Sequence, residues 1–162
     1  GEAMALTTMV HTCLARGDAK KALLHAEQGL AKFRNSGYKK GEAAAHDMLM
    51  YVYADKHEPD QALLQAAEEL EILKELGYKR RLAIVTLVSA LLNVNRESGI
   101  DAQSAVDEAV AIFQEIKDKK GEAISSYVRV FAHLVKEEFT DAITAAEESR
   151  AVFQELGDKR FD

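Results

Sequence analysis

The sequence predicts an all-α protein, an alpha solenoid of four helix-turn-helix repeats with eight helices. Three observations predict it. The chain of 162 residues repeats itself every 40 residues without an insertion, each repeat shows helical periodicity twice, and the whole chain holds one proline. A fixed period of 20 to 50 residues is typical of one supersecondary unit stacked on its own copies. Scarce proline lets such helices run without interruption.

The repeats are expected to form one domain covering residues 1–162. They span 1–40, 41–80, 81–120 and 121–160, and residues 161–162 begin a truncated fifth. Two alanine columns, one bulky apolar column and one lysine column align them: Ala3, Ala43, Ala83, Ala123; Ala22, Ala62, Ala102, Ala142; Phe33, Leu73, Phe113, Phe153; Lys39, Lys79, Lys119, Lys159. Because the chain begins and ends at repeat boundaries, we expect a fragment of a larger protein.

The first repeat shows how each element is assigned. Residues 1–16 are expected to form a helix, Gly17-Asp18 a turn, and residues 19–36 a second helix whose apolar residues follow one stripe. Glycine at the left-handed position ends this second helix in three repeats, at Gly37, Gly77 and Gly157. The third repeat has Lys117 there, which predicts a joint of different geometry or a helix that continues.

The lysine column predicts local ion pairs. Glu75 and Lys79, and likewise Glu115 and Lys119, stand four residues apart, the spacing at which opposite charges meet on one helix face.

Composition and charge exclude several classes of partner. The net charge of −6 disfavours nucleic acid and anionic membranes, which both bind through Lys and Arg. The longest uncharged apolar stretch, 82–94, is interrupted by polar residues and is shorter than the ~20 residues of a membrane span. Cys13 is the single cysteine, and no Cys/His cluster has zinc spacing, so we expect no disulfide, metal or cofactor. An intracellular, cytoplasmic protein is the expectation.

No catalytic signature appears in the sequence. It contains no glycine-rich phosphate loop, no Gly-x-Ser-x-Gly and no His-Glu-x-x-His. The five histidines are scattered, and His46 beside Asp47 and His11 near Cys13 come nearest to a site. Because adjacent residues on a helix do not face each other, both pairs are interpreted as packing and surface positions. We therefore predict that the chain is not an enzyme.

The repeat resembles a known family. The joint Glu-Leu-Gly-Asp-Lys-Arg at 155–160, the alanine column at 22, 62, 102 and 142, and the Gly17-Asp18 turn are similar to the tetratricopeptide repeat (TPR). The 40-residue variety found in kinesin light chain and in spindle-orientation adaptors is the nearest likeness. The resemblance implies a right-handed superhelix whose concave groove binds peptides or partner helices.

The resemblance also implies which residues form the groove, since the first helix of each repeat supplies the concave wall. Those residues are Met4, Thr7 and His11; Ala44, Asp47 and Tyr51; Ile84, Leu87 and Leu91; Ile124, Tyr127 and Phe131. None is Lys, Arg or Asn, so a clamp for a terminal carboxylate is not expected. An apolar wall with aromatic residues suits a protein or peptide with an apolar or amphipathic segment.

Two alternatives remain open from the sequence. The apolar residues in repeats three and four have the spacing of a helix buried against its neighbours, so they form either the groove or the core. The chain has no polar capping helix, and Val152, Phe153 and Leu156 would face an absent fifth repeat. Exposed apolar ends associate, which allows an end-to-end homo-oligomer. The function expected is a non-catalytic protein-interaction scaffold, and the alternative is a self-associating structural or spacer segment of a larger assembly.

Overall fold

A computed structural model describes residues 1–158. Over these residues it shows eight α-helices and no strand, which confirms the all-α, helix-turn-helix prediction. The helices are α1 (Glu2–Ala15), α2 (Ala19–Asn35), α3 (Lys39–Asp55), α4 (Pro59–Leu76), α5 (Lys79–Asn95), α6 (Gly99–Glu115), α7 (Lys119–Val135) and α8 (Phe139–Asp158). Predictions concerning Lys159, the end of the 155–160 joint and the fifth repeat at 161–162 lie outside the described residues.

The chain divides into two compact units. Unit 1 is Gly1–Gly77 and holds α1 to α4, whereas unit 2 starts at Tyr78 and holds α5 to α8. Each unit has an apolar core of its own, and the prediction of one domain over the whole chain stays a prediction. The core of unit 1 is Leu6, Val10, Ala22, Ala26, Phe33, Ala45, Met48, Leu49 and Val52. That of unit 2 is Ala83, Leu87, Ala90, Val106, Ala109, Phe113 and Val128.

The alanine column at positions 22, 62, 102 and 142 lies in the interior of each repeat. Ala22, Ala62 and Ala102 are fully buried and Ala142 nearly so. A methyl side chain lets two helix backbones approach closely, so this column follows from packing.

The Lys117 joint was predicted to differ, and that prediction was wrong. Helix α6 ends at Glu115, and Lys117 adopts the left-handed φ of +56° that Gly37 has at +65°. The amide of Asp118 donates to the carbonyl of Phe113 at 2.9 Å, just as that of Tyr38 donates to Phe33 at 3.0 Å. These bonds and the packing around the joint outweigh the roughly 1–2 kcal/mol that a side chain costs in this conformation.

Gly157 was also assigned wrongly. Helix α8 continues through it to Asp158, and Gly157 is not among the glycines with positive φ. Glycine adopts right-handed helical angles as readily as left-handed ones, so the residue alone does not stop a helix.

The lysine column lies at the start of helices. Lys39, Lys79 and Lys119 are the first residues of α3, α5 and α7. Lys79 pairs with Glu115, and Lys119 pairs with Glu122 at 3.0 Å. The expected pairing four residues apart is therefore replaced by other pairs, because a turn separates Glu75 from Lys79 and Glu115 from Lys119.

None of the helices within residues 1–158 combines the length and the apolar character that crossing a membrane requires.

Candidate functional site

The α1/α3 wall is the exposed face of the first helices of unit 1, which pack against each other. It carries the predicted residues Met4, Thr7, His11, Ala44, Asp47 and Tyr51. The exposed rings of His11 and Tyr51 lie with their centroids 5.9 Å apart and their planes tilted by 51°. Asp47 is partly buried. This wall is mixed in character, with polar and apolar groups side by side.

The α5/α7 wall is the corresponding face in unit 2, where α5 packs against α7. We define it by Ile84, Leu91, Ile124, Tyr127 and Phe131. Tyr127 is 55% exposed, and its ring meets that of Phe131 edge to face, with centroids 5.3 Å apart and an interplanar angle of 89°. Leu91 and Ile124 are also exposed, whereas Ile84 and Phe131 are half-buried. An edge-to-face pair contributes about 0.5–1.5 kcal/mol beyond its buried area, which helps to fix both rings.

Leu87 does not lie on this wall. It is only 5% exposed and belongs to the core of unit 2 together with Phe113 and Val128. Of the two interpretations that the sequence left open, burial in the core therefore holds for Leu87, and exposure at the surface holds for Tyr127.

Two ion pairs join helices of unit 2. Arg80 Nε lies 2.8 Å from Asp118 Oδ2, and Arg129 Nη2 lies 2.9 Å from Asp107 Oδ1. The backbone N–H of Gly121 lowers the pKa of Asp118 below its ordinary value, and Arg80 lowers it further. Asp118 thus stays charged at neutral pH, caps α7 and joins the start of α5 to the start of α7.

The sequence pattern did not predict a polar network around the buried His46 in unit 1; it indicated only a packing or surface position for His46. His46 is 2% exposed; its Nε2 lies 3.2 Å from Arg34 Nη2 and its Nδ1 lies 2.9 Å from Gln65 Oε1. Since arginine only donates, Nε2 accepts and Nδ1–H donates to Gln65. Burial lowers the pKa of His46, and the charge of Arg34 lowers it further.

Arg34 also holds Glu42, through a 2.9 Å bond from Nε to Oε1. Burial by itself would raise the pKa of Glu42, but the hydrogen bond from Arg34 and the charge of Lys39 bring it below its ordinary value. The network borders a cavity of about 310 Å³ that is also lined by Leu30, Tyr53 and Glu68. In the sequence, the one sign of this network is that His46 stands where the other repeats have Leu6, Thr86 and Ser126.

Within residues 1–158, the groups that could hold a metal ion are His133, Glu138 and Asp141. Glu138 Oε2 already accepts from His133 Nδ1 at 2.7 Å and from Lys136 Nζ at 2.6 Å. Lys136 lowers the pKa of Glu138, followed by His133. A metal ion would have to displace the ammonium group, so this turn is best described as an ion-paired joint between α7 and α8.

The predicted self-association end is partly exposed. Phe153 is 40% exposed, whereas Val152 and Leu156 are half-buried. Phe153 and Leu156 border a cleft of about 450 Å³, along with Lys120 and Gly157 among the described residues.

The comparisons with known proteins agree with this architecture. No protein-family model and no curated protein matches the chain. BtubC (BKLC) from P. vanneervenii matches with a TM-score of 0.83 and 16% identity, over 96% of this chain and 64% of that one. The apo form of RapI matches with a TM-score of 0.81 and 16% identity, over 98% of this chain and 58% of that one. A kinesin light chain structure with TPR-like repeats, from Podosopora anserina, aligns over 96% of both chains with 12% identity and a TM-score of 0.45.

The first two matches are TPR-like repeat structures and define the class of fold: this chain has a TPR-like alpha-solenoid fold. It spans about two thirds of the length of BtubC and somewhat less of RapI.

Proposed function

We propose that the chain is a non-catalytic protein-interaction scaffold that binds the apolar face of an amphipathic helix on the α5/α7 wall. The exposure of Tyr127 beside Phe131 carries this proposal. Binding hot spots are typically aromatic, and a ring already fixed by its neighbour loses little conformational freedom when a partner covers it. A cytoplasmic location is part of the same proposal.

The chemistry of the wall indicates the kind of partner. Its five residues carry no charged side chain, and the tyrosine hydroxyl is its one polar group. A partner should therefore present apolar residues three and four positions apart along a helix. Since the contact is apolar, its affinity should depend only weakly on salt.

A peptide selection tests the proposal. A displayed library of helical peptides is selected on the wild-type chain, and the dissociation constants of the selected peptides are measured by fluorescence anisotropy. Tyr127→Ala should weaken binding by about 30-fold, as loss of a hot spot of ~2 kcal/mol does. The matched control is Ile100→Ala, because Ile100 is 78% exposed and does not belong to the wall.

Peptides that bind wild type and Tyr127→Ala equally would exclude the α5/α7 wall as the site. Because Tyr127 is 55% exposed, its truncation should cost no more stability than the roughly 0.5–1.5 kcal/mol of the ring pair with Phe131. A larger loss in urea unfolding would show that its role is structural.

A further inference from the structure

Helix α8 exposes the face that other second helices bury. In a second helix, five positions spaced four, three, four and three residues apart face the following repeat. In α8 they are all exposed: Phe139, Ile143, Ala146, Arg150 and Phe153. The corresponding residues of α2 include Ala26 and Phe33, which are buried in the core of unit 1. Helix α8 therefore carries an apolar stripe of the kind that receives a following helix.

The junctions within each unit show what such a stripe receives. At Gly41, an added Cβ would lie 2.6 Å from ring atoms of Phe33, and at Gly121 it would lie 2.1 Å from Phe113 Cδ1. An aromatic ring of the second helix thus covers the first turn of the next helix, at a position where only glycine fits. Phe153 stands in the same column as Phe33 and Phe113, so it fits a neighbouring first helix whose repeat has glycine in the column of Gly41 and Gly121.

The repeat of α1 has glycine in this column, at Gly1. Gly1 precedes α1, and no atom lies within 4 Å of a Cβ built there. The α1 residues at the positions that face a preceding repeat are all exposed: Ala5, Thr8, Met9 and Thr12. Their counterparts in α3 are all buried: Ala45, Met48, Leu49 and Val52.

The threonines of α1 are compatible with an apolar contact. The hydroxyl of Thr8 donates to the carbonyl of Met4 at 3.0 Å, and that of Thr12 donates to the carbonyl of Thr8 at 2.7 Å. With each donor used within the helix, burying the two side chains leaves no hydroxyl hydrogen without a partner.

We propose that α8 of one copy of this chain packs against α1 of a second copy, head to tail, with Phe153 over Gly1. The contact reproduces the packing of α2 on α3 and of α6 on α7. Pairing of α8 with α8 is disfavoured, because it would place no glycine opposite Phe153. A head-to-tail dimer still has a free α1 face at one end and a free α8 face at the other. Assembly therefore continues beyond the dimer as the protein concentration rises, unless the copies close into a ring.

Light scattering with size-exclusion chromatography over a concentration series tests the contact on the 162-residue chain. Phe153→Lys on α8 and Ala5→Arg on α1 should each weaken association by at least about 30-fold. Their matched controls, Ile100→Lys and Ala15→Arg, replace exposed residues outside both faces and should behave like wild type. Arg150→Leu introduces the residue that repeats one and two have in this column, Leu30 and Leu70, and should tighten association.

Mixing the two disruptive variants identifies the geometry. Each variant alone should be a monomer, but the mixture should give a dimer that grows no further, because the intact α8 of Ala5→Arg meets the intact α1 of Phe153→Lys. The proposal is overturned by a wild type that stays monomeric, or by Ala5→Arg associating as wild type does. Circular dichroism and urea midpoints equal to wild type confirm that the variants fold. The α5/α7 wall is unchanged in these variants, so the two proposals are tested separately.

Discussion

The junction of α2 with α3 and the junction of α6 with α7 use one backbone geometry with different chemistry. Both place a phenylalanine over a glycine, and both turn through a left-handed residue. In unit 1 that residue is Gly37, and Tyr38 precedes α3 as its N-cap without a side-chain hydrogen bond. In unit 2 it is Lys117, and Asp118 caps α7 by accepting from the amide of Gly121 at 3.0 Å.

The surroundings of the two junctions differ as well. At the first, the half-exposed Arg34 holds the buried Glu42 and His46, whereas at the second Arg80 holds Asp118 and the core residue beside Phe113 is Val128. What the two joints share is the backbone hydrogen bond to Phe33 or Phe113 and the aromatic ring of that residue, which maintain the joint. The residues beside it are therefore able to vary in charge and polarity without changing the fold.

The largest effect is expected from removing the ring itself. Phe113→Ala should lower the free energy of unfolding by about 3–5 kcal/mol, because it leaves a cavity in the core of unit 2. Phe153→Ala in the same column should cost less than about 1 kcal/mol, since that ring is 40% exposed. Urea unfolding measures both. Equal losses of stability would contradict the idea that Phe113 stabilises the fold by packing at the α6/α7 junction.

Filling the space under the ring should have the next largest effect. Gly121→Ala should destabilise by roughly 1–3 kcal/mol although alanine favours helix, because the new Cβ would meet Phe113. Gly1→Ala is the control and should change stability by less than about 0.5 kcal/mol, since that site is open. A stabilised Gly121→Ala would contradict the close contact.

Acidification should weaken unit 1 through His46. Its pKa in the folded state lies below the ordinary 6.5, so the unfolded chain binds more protons there. Stability should therefore be full above pH 6.5 and fall as the pH drops through 6.5 towards the lowered pKa, by at most about 1.4 kcal/mol per pH unit.

Urea unfolding at pH 7.5, 6.5 and 5.5 checks this, with His46→Gln as the variant that should lose most of the slope. The carboxyl groups of Glu42 and Asp118, with pKa values below their ordinary 4.5 and 3.8, act only at lower pH. The same slope in His46→Gln and wild type would assign the pH dependence to other groups.

The smallest effects concern the left-handed residues. Lys117→Gly should stabilise by about 0.5–1 kcal/mol because it removes the strain of a side chain at φ +56°. Gly37→Ala at the other junction should destabilise by a similar amount. Gln114→Gly, within α6, is the control and should lose about 1 kcal/mol of helix stability. A destabilised Lys117→Gly would mean that the lysine side chain contributes packing that outweighs its strain.

Leu87 and Tyr127 show the limit of what the sequence predicts about the candidate site. They occupy the same position in successive repeats, yet Leu87 is 5% exposed and Tyr127 is 55% exposed. Spacing assigned both to one face, and only the packing of each helix against its neighbours separated them. The same holds for His46, whose partners Arg34 and Gln65 come from two other helices.

The sequence pattern predicts the eight helices, their grouping into 40-residue repeats, and the alanine column together with the buried Phe33, Leu73 and Phe113. These features follow from periodicity and steric size, which are local properties of the chain. The tertiary structure decided which lysines pair with which carboxylates, that Lys117 turns as glycine does, and which apolar residues stay in water. Those outcomes depend on distances between residues far apart in the chain, and a one-dimensional pattern does not contain them.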